Sequence, residues 1–198
     1  MVRHVIISLS ALSIWAAGAA MVEATTDLAI IDSAALGTDR NLPWSEPVQI
    51  DDPFEGSFIG VFDRHSFQEQ FLNINTLIEV QSLWSQEFIR VLSIVRDRDC
   101  LNQSIVNFPS RSCSEFNNAR NIVELFIKID DEVLQIAGEN STFPVNNELA
   151  EALQNAPETN IEIRLVTANG ETIDSEIGLG TVEAWKTVYG FQDTVVSE

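Results

Sequence analysis

Apolar and polar residues alternate in three different rhythms along this chain. From Val5 to Val22 apolar and small residues run almost without a charge, behind Arg3 and His4 and ahead of Glu23-Ala24. A basic flank, a short apolar stretch and small residues at Val22 and Ala24 have the form of a secretory signal cleaved after Ala24. Ser8, Ser10, Ser13 and Gly18 dilute the stretch relative to a membrane-spanning helix, which leaves an uncleaved anchor as the second reading.

The second rhythm begins at Phe58, where FIGVF reads as a short buried strand. No glycine or proline then interrupts the chain between Gly60 and Pro109, and Ser66-Phe67-Gln68-Glu69 has the spacing of a capping box. Apolar residues at Phe67, Phe71, Ile74 and Ile78, then at Leu77, Val80, Trp84, Phe88, Val91 and Val95, recur at helical spacing. The two stripes are offset by one residue, and a straight helix over 67–95 would be about 45 Å long. A kink near Asn73-Ile74-Asn75-Thr76 is expected for that reason. The β-branched content of the region keeps a strand reading open, against which stand the adjacent apolar pairs Leu77-Ile78, Leu83-Trp84 and Phe88-Ile89.

The third rhythm has the period of two that marks half-buried strands. Val123, Leu125, Ile127 and Ile129 alternate with Glu124, Phe126 and Lys128, and Asp130-Asp131 turns the chain into Val133–Ala137. Gly138-Glu139-Asn140 turns it again, and Ser141–Val145 extends the sheet. Asn146 or Asn147 then caps a short helix carrying Leu149, Ala150 and Leu153, which Pro157 ends. Ile161, Ile163 and Leu165 face one way, and Asn169-Gly170 suits a type I′ hairpin turn into Thr172–Ile177. Thr181 caps a last amphipathic segment with Val182, Trp185 and Tyr189 on one side, for which a strand is the alternative. The fold class that follows is α+β: a long kinked helical segment packed with a small, mainly antiparallel sheet of hairpins.

Proline-rich and acidic, 25–57 reads as an extended arm or linker whose Trp44 and Phe54 dock on the body; 58–190 forms the domain and 191–198 a tail. Loss of the leader removes one base, Arg3, and one acid, Glu23, so the mature chain keeps the net charge of −19. Such an anionic surface opposes nucleic acid and anionic lipid, and leaves the membrane only the signal segment, if uncleaved, as a point of contact. Cys100 and Cys113 are the only cysteines. In an oxidising compartment they have each other as partners, so one disulfide is expected to close the loop they enclose.

No chemical motif organises the polar residues. His65 is the single histidine beyond the leader, without a Gly-x-Ser-x-Gly elbow, and with two cysteines it makes no zinc set. Gly178-Leu179-Gly180 lacks the lysine of a phosphate loop. The acidic clusters Asp51/Asp52/Glu55, Asp130/Asp131/Glu132 and Asp174/Glu176/Glu183 offer hard oxygens for weak surface calcium at most, without the EF-hand spacing. Asn102-Gln103-Ser104 and Asn140-Ser141-Thr142 match the glycosylation pattern, which matters only in a host that uses it. No catalytic, cofactor or metal residue is therefore assigned.

The stretches PVNNELAEALQNAP and IEIRLVTANGETIDSEIGLGTVEAWKTVY, residues 144–157 and 161–189, resemble a segment at the C-terminal end of small exported cyanobacterial proteins of uncharacterised function. The resemblance implies a periplasmic or extracellular address and carries no catalytic motif. Two function classes follow. The first is an exported acidic, non-catalytic binding or structural module that contacts an envelope or extracellular protein or polymer through a sheet face or through aromatics such as Trp44 and Trp185. The alternative is an exported hydrolase with a carboxylate or convergent serine site.

Overall fold

Where the sequence pattern predicts one long helix, the chain instead runs back and forth as three long antiparallel strands, β3 (Gly56–Phe71), β4 (Ile74–Ser85) and β5 (Phe88–Leu101). The structure is a computed structural model that describes residues 28–37, 41–71, 74–101 and 112–190. The expected leader 1–24, Asn102-Gln103-Ser104 and the tail 191–198 lie outside the described residues, as do the side chains of 69–75 and 97–117.

The helical expectation fails because this sheet is covered on both faces. Strands buried on both sides read as near-continuous apolar runs, without the alternation of a half-wet strand. Leu83 is buried in one cluster and its neighbour Trp84 in another, on opposite sides of β4. The apolar doublets that spoke against a strand are thus the two faces of one. Ser66–Glu69 is extended, with Ser66 opposite Glu79 and Glu69 opposite Thr76, so it caps no helix. The turn after β4 needs no glycine: the Ser85 hydroxyl accepts from the Phe88 N–H (3.1 Å) and donates to the Phe88 carbonyl (2.7 Å).

On one flank β2 (Pro47–Asp52) pairs antiparallel with β3, and β1 (Ala29–Ile31) pairs parallel with β2. Residues 25–57 therefore contribute strands as well as connecting chain. On the other flank, one edge of β5 is shared. β9 (Thr142–Pro144) pairs with Phe88–Arg90, and β6 (Ser112–Arg120) pairs with Ser93–Leu101. A single residue, Asn121, separates β6 from β7 (Ile122–Ile129), where the chain enters a second sheet. That sheet is antiparallel, in the order β11 (Thr172–Ile177), β10 (Ile161–Thr167), β7, β8 (Glu132–Ala137). Among the described residues the fold is therefore predominantly β, with two short helices, and not the expected long kinked helix packed on a small sheet.

The expected disulfide is also corrected. The β5–β6 register sets Cys100 opposite Cys113, but no disulfide is present among the described residues. The long strands are held there by their backbone ladder.

The turns differ from expectation in an instructive way. A type I′ turn needs positive φ at both central residues. Asn140 (51°) and Ser141 (60°) meet this, with Glu139 and Thr142 exchanging backbone hydrogen bonds of 3.0 and 2.9 Å. In the β10–β11 hairpin only Gly170 has positive φ (85°), within a three-residue loop closed by Gly170 N–H to Thr167 O. Asn140-Ser141 is thus a structural turn, whose Ser141 hydroxyl accepts from the buried Ile122 N–H at 2.9 Å.

Helix α1 (Asn147–Gln154) is capped as expected, the Asn146 side chain accepting from Leu149 N at 2.8 Å. Helix α2 (Leu179–Gly190) resolves the last segment as a helix and packs on α1. Val61, Val80, Trp84, Ile89 and Val91 of the large sheet share one core with Leu125, Ile127, Ile163 and Leu165 of the small sheet and with Leu153, Val182 and Trp185 of the helices. The Trp84 and Trp185 rings lie 4.6 Å apart, both fully buried. On the opposite face Val48, Ile50, Phe62 and Leu83 are covered by Ala34 with Ile31, Leu36, Leu42 and Trp44. Trp44 stands edge-on to Phe62 at 6.4 Å, whereas Phe54 does not dock and is 95% exposed.

Candidate functional site

Alternation along β3 sends Val61, Asp63, His65 and Phe67 to the face that meets the small sheet and the helices. Two of these are ionisable, and each makes a contact that joins distant parts of the chain. Asp63 is buried, and its Oδ1 accepts from the Thr181 hydroxyl at 2.6 Å and from the Gly178 N–H at 3.3 Å. Thr181 Oγ1 lies 3.0 Å from Ser45 Oγ, so one carboxylate anchors the start of α2 to β3 and to the chain ahead of β2. Thr181 is thus buried inside the first turn rather than capping it from outside.

Burial pushes the Asp63 carboxyl above its ordinary value of 3.8, against the lowering effect of its hydrogen bonds from Thr181 and Gly178. A carboxyl whose folded value is raised favours folding most where it is neutral in both states, and that contribution is lost as pH rises from the ordinary value through the folded one. Asp63→Asn keeps an acceptor for Thr181 and Gly178 without the charge. Its urea midpoint is expected to exceed that of the wild type at pH 7, the gap narrowing as pH falls through the raised folded value and closing below 3.8. A gap that is the same at every pH would show that burial of this charge is not the cause.

His65 reaches across to β11. Its Nδ1 lies 3.0 Å from Ser175 Oγ and accepts from the Glu176 N–H at 3.4 Å, while Nε2 lies 3.7 Å from Glu176 Oε1. The tautomer that serves both contacts carries its proton on Nε2, toward the Glu176 carboxylate. The ring stacks on Phe67 at 5.5 Å.

Beside His65 the outward face of the small sheet forms a groove of about 640 Å³. Cross-strand register dictates its charges. Arg164 stands opposite Asp174, and Glu162 lies between Lys128 and Glu176. Arg164 holds Asp174 with two parallel bonds, of 2.5 and 2.9 Å, and Lys128 meets Glu162 at 2.8 Å. The hydrogen bond from Arg164 lowers the Asp174 carboxyl, and the Glu162 carboxylate raises the Lys128 ammonium. Phe126 and Val133 add the apolar part of the lining.

A serine hydrolase needs an accessible hydroxyl and free N–H groups for the oxyanion. Ser175 faces the core at 9% exposure, and the N–H that follows it is directed at His65. The acidic clusters are occupied otherwise as well. Asp51 accepts from Ser57 (2.5 Å) and Gln49 (3.0 Å), Asp52 from the Ala34, Phe54 and Glu55 N–H groups, and Glu55 pairs with Arg90 at 2.8 Å. Asp130 and Asp131 make the β7–β8 turn. Among the described residues no three His, Cys, Asp or Glu side chains are gathered around a metal position.

Of the aromatics expected to meet a partner, Trp185 is in the core and Trp44 half-buried. The His65–Ser175–Glu176 contact was hidden by the helical reading of 67–95; the signal that marks it is the period-two series Val61, Asp63, His65, Phe67. No protein-family model matches the chain, and neither curated proteins nor solved structures yield a match.

Proposed function

We propose that this chain is an exported, acidic, non-enzymatic binding module that contacts an envelope or extracellular protein or polymer through the open face of the small sheet beside His65. One observation carries the reading: the charged side chains of the groove are paired across the strands into rows, and the hydroxyl in its lining, Ser175, is buried at 9% exposure and engaged with His65. Exported cyanobacterial proteins, which the C-terminal part resembles, give the same address. The hydrolase reading rests on the 3.0 Å contact between His65 and Ser175.

One comparison separates them. The full chain, with Ser175→Ala and His65→Ala variants, is assayed on chromogenic esters and fluorogenic peptides, and tested for retention on envelope material from its own host. The module reading expects no turnover that depends on Ser175. It also expects retention to fall at least tenfold in an Arg164→Glu/Lys128→Glu variant of unchanged stability, since exposed ion pairs contribute only about 0–1 kcal/mol to folding. Turnover abolished by both single substitutions, or retention unaffected by the charge reversal, overturns it.

A further inference from the structure

A second groove, of about 540 Å³, lies away from His65, between α1, the end of α2 and the β4–β5 turn. Helix α1 brings Asn147, Glu151 and Gln154 to one side by their spacing of four and three residues, while Leu149 and Leu153 go into the core. Asn155 follows at the end of the helix, its side-chain amide donating to the Glu151 carbonyl at 2.8 Å, and Gln86 comes from the turn after β4. Tyr189 completes the lining from the last turn of α2. Its hydroxyl is buried and has no hydrogen-bond partner. Burial also pushes the phenol well above its ordinary value of 10.0, so it remains a neutral donor and acceptor.

We propose that this groove binds a neutral saccharide. Four carboxamides around one phenol offer donors and acceptors side by side on planar heads, the complement of neighbouring sugar hydroxyls that both give and take hydrogen bonds. An unpaired buried hydroxyl is costly, and a ligand hydroxyl placed over Tyr189 removes that cost. The lining contains no lysine or arginine, and the chain carries a net charge of −19, which argues against anionic ligands. A single carboxylate, Glu151, is too few for a divalent cation. Apart from Ala150 and the Tyr189 ring there is no apolar lining for the side chains of a peptide. The volume falls within the range of small-ligand sites. The inference is independent of the role assigned to the small-sheet face.

The test is a titration of the ¹⁵N-labelled full chain with neutral gluco-, xylo- and N-acetyl-chito-oligosaccharides, followed through the side-chain amide signals of Gln86, Asn147, Gln154 and Asn155. Saturable shifts are expected for at least one series, weakened about tenfold or more in Asn147→Ala/Gln154→Ala and several-fold in Tyr189→Phe, with the thermal midpoint unchanged in the first variant and no lower than the wild type's in the second. Absence of response to every series overturns the proposal. So do shifts that survive the double substitution, or an equal response to calcium, to an acidic uronate oligomer or to an unstructured neutral peptide.

Discussion

Trp185→Ala is expected to lower the thermal midpoint by roughly 10 °C. The indole is fully buried, tilted at 51° against Trp84 with centroids 4.6 Å apart, and it fastens α2 to β4. Truncating a buried tryptophan to alanine removes about 3–5 kcal/mol through lost transfer energy and the cavity left behind. For a chain of this size each kcal/mol corresponds to about 2–4 °C. Trp185→Phe separates the causes. The indole N–H is buried without a partner, so phenylalanine discards an unsatisfied donor while keeping a ring beside Trp84. The expected loss is then about 1–2 kcal/mol. Calorimetry on the three proteins decides it: a drop under 3 °C for the alanine variant would mean that α2 does not close this core.

Gly138→Ala is the second large effect, and it arises from space rather than from backbone preference. A Cβ at this position would stand 2.5 Å from the Phe143 ring and 2.5 Å from the Thr142 carbonyl oxygen. The ring has room to rotate only at the expense of the core, and the carbonyl belongs to the backbone of β9. The Gly138 N–H also donates to Val123 O at 2.9 Å, which fixes it beside the second sheet. Overpacking of this kind costs about 1–3 kcal/mol and here is expected at the upper end. Gly170→Ala is the contrast. Its Cβ would meet nothing within 4 Å, and its penalty comes from φ of +85°, about 1 kcal/mol. The stability lost, read from the urea midpoints of the two variants, should therefore differ by a factor of about three, with Gly138→Ala the weaker protein. The reverse order would refute the steric account.

The sequence was legible where a strand has one wet face. Ile161, Ile163 and Leu165 go inward while Glu162 and Arg164 go to water, and the hairpins built on them emerged with their pairing. The Asn146 cap was equally visible, because its hydrogen bond is local. FIGVF, read as a short buried strand, lies within β3, but between Phe67 and Val95 the same logic misled. Apolar cover on both sides of β3–β5 erased the alternation, and the absence of glycine and proline hid a turn that Ser85 makes with its own hydroxyl. The I′ turn shows the limit of local rules in another way. Asn169-Gly170 carries the favoured pair, yet the double positive φ falls on Asn140-Ser141, where the Ile122 N–H, the Val91 N–H and the Ile122 carbonyl hold Ser141 in place. Tertiary contacts impose there what sequence preference alone would not. For the His65 contact the local period of two gives only the face of β3 on which His65 stands, and the amide groove beside Tyr189 has no local signature, since each is assembled from strands and helices far apart in the chain.

Ser45, Thr181 and Asp63 form one hydrogen-bonded clasp between positions 136 and 118 residues apart. Trimming by an exopeptidase back through α2 would therefore be felt at the opposite end of the described chain. It would strip the cover from Trp84 and leave Ser45 and Asp63 without their common hydroxyl. The stretch ahead of β2 and the final helix stand or fall together, and neither is a detachable appendage.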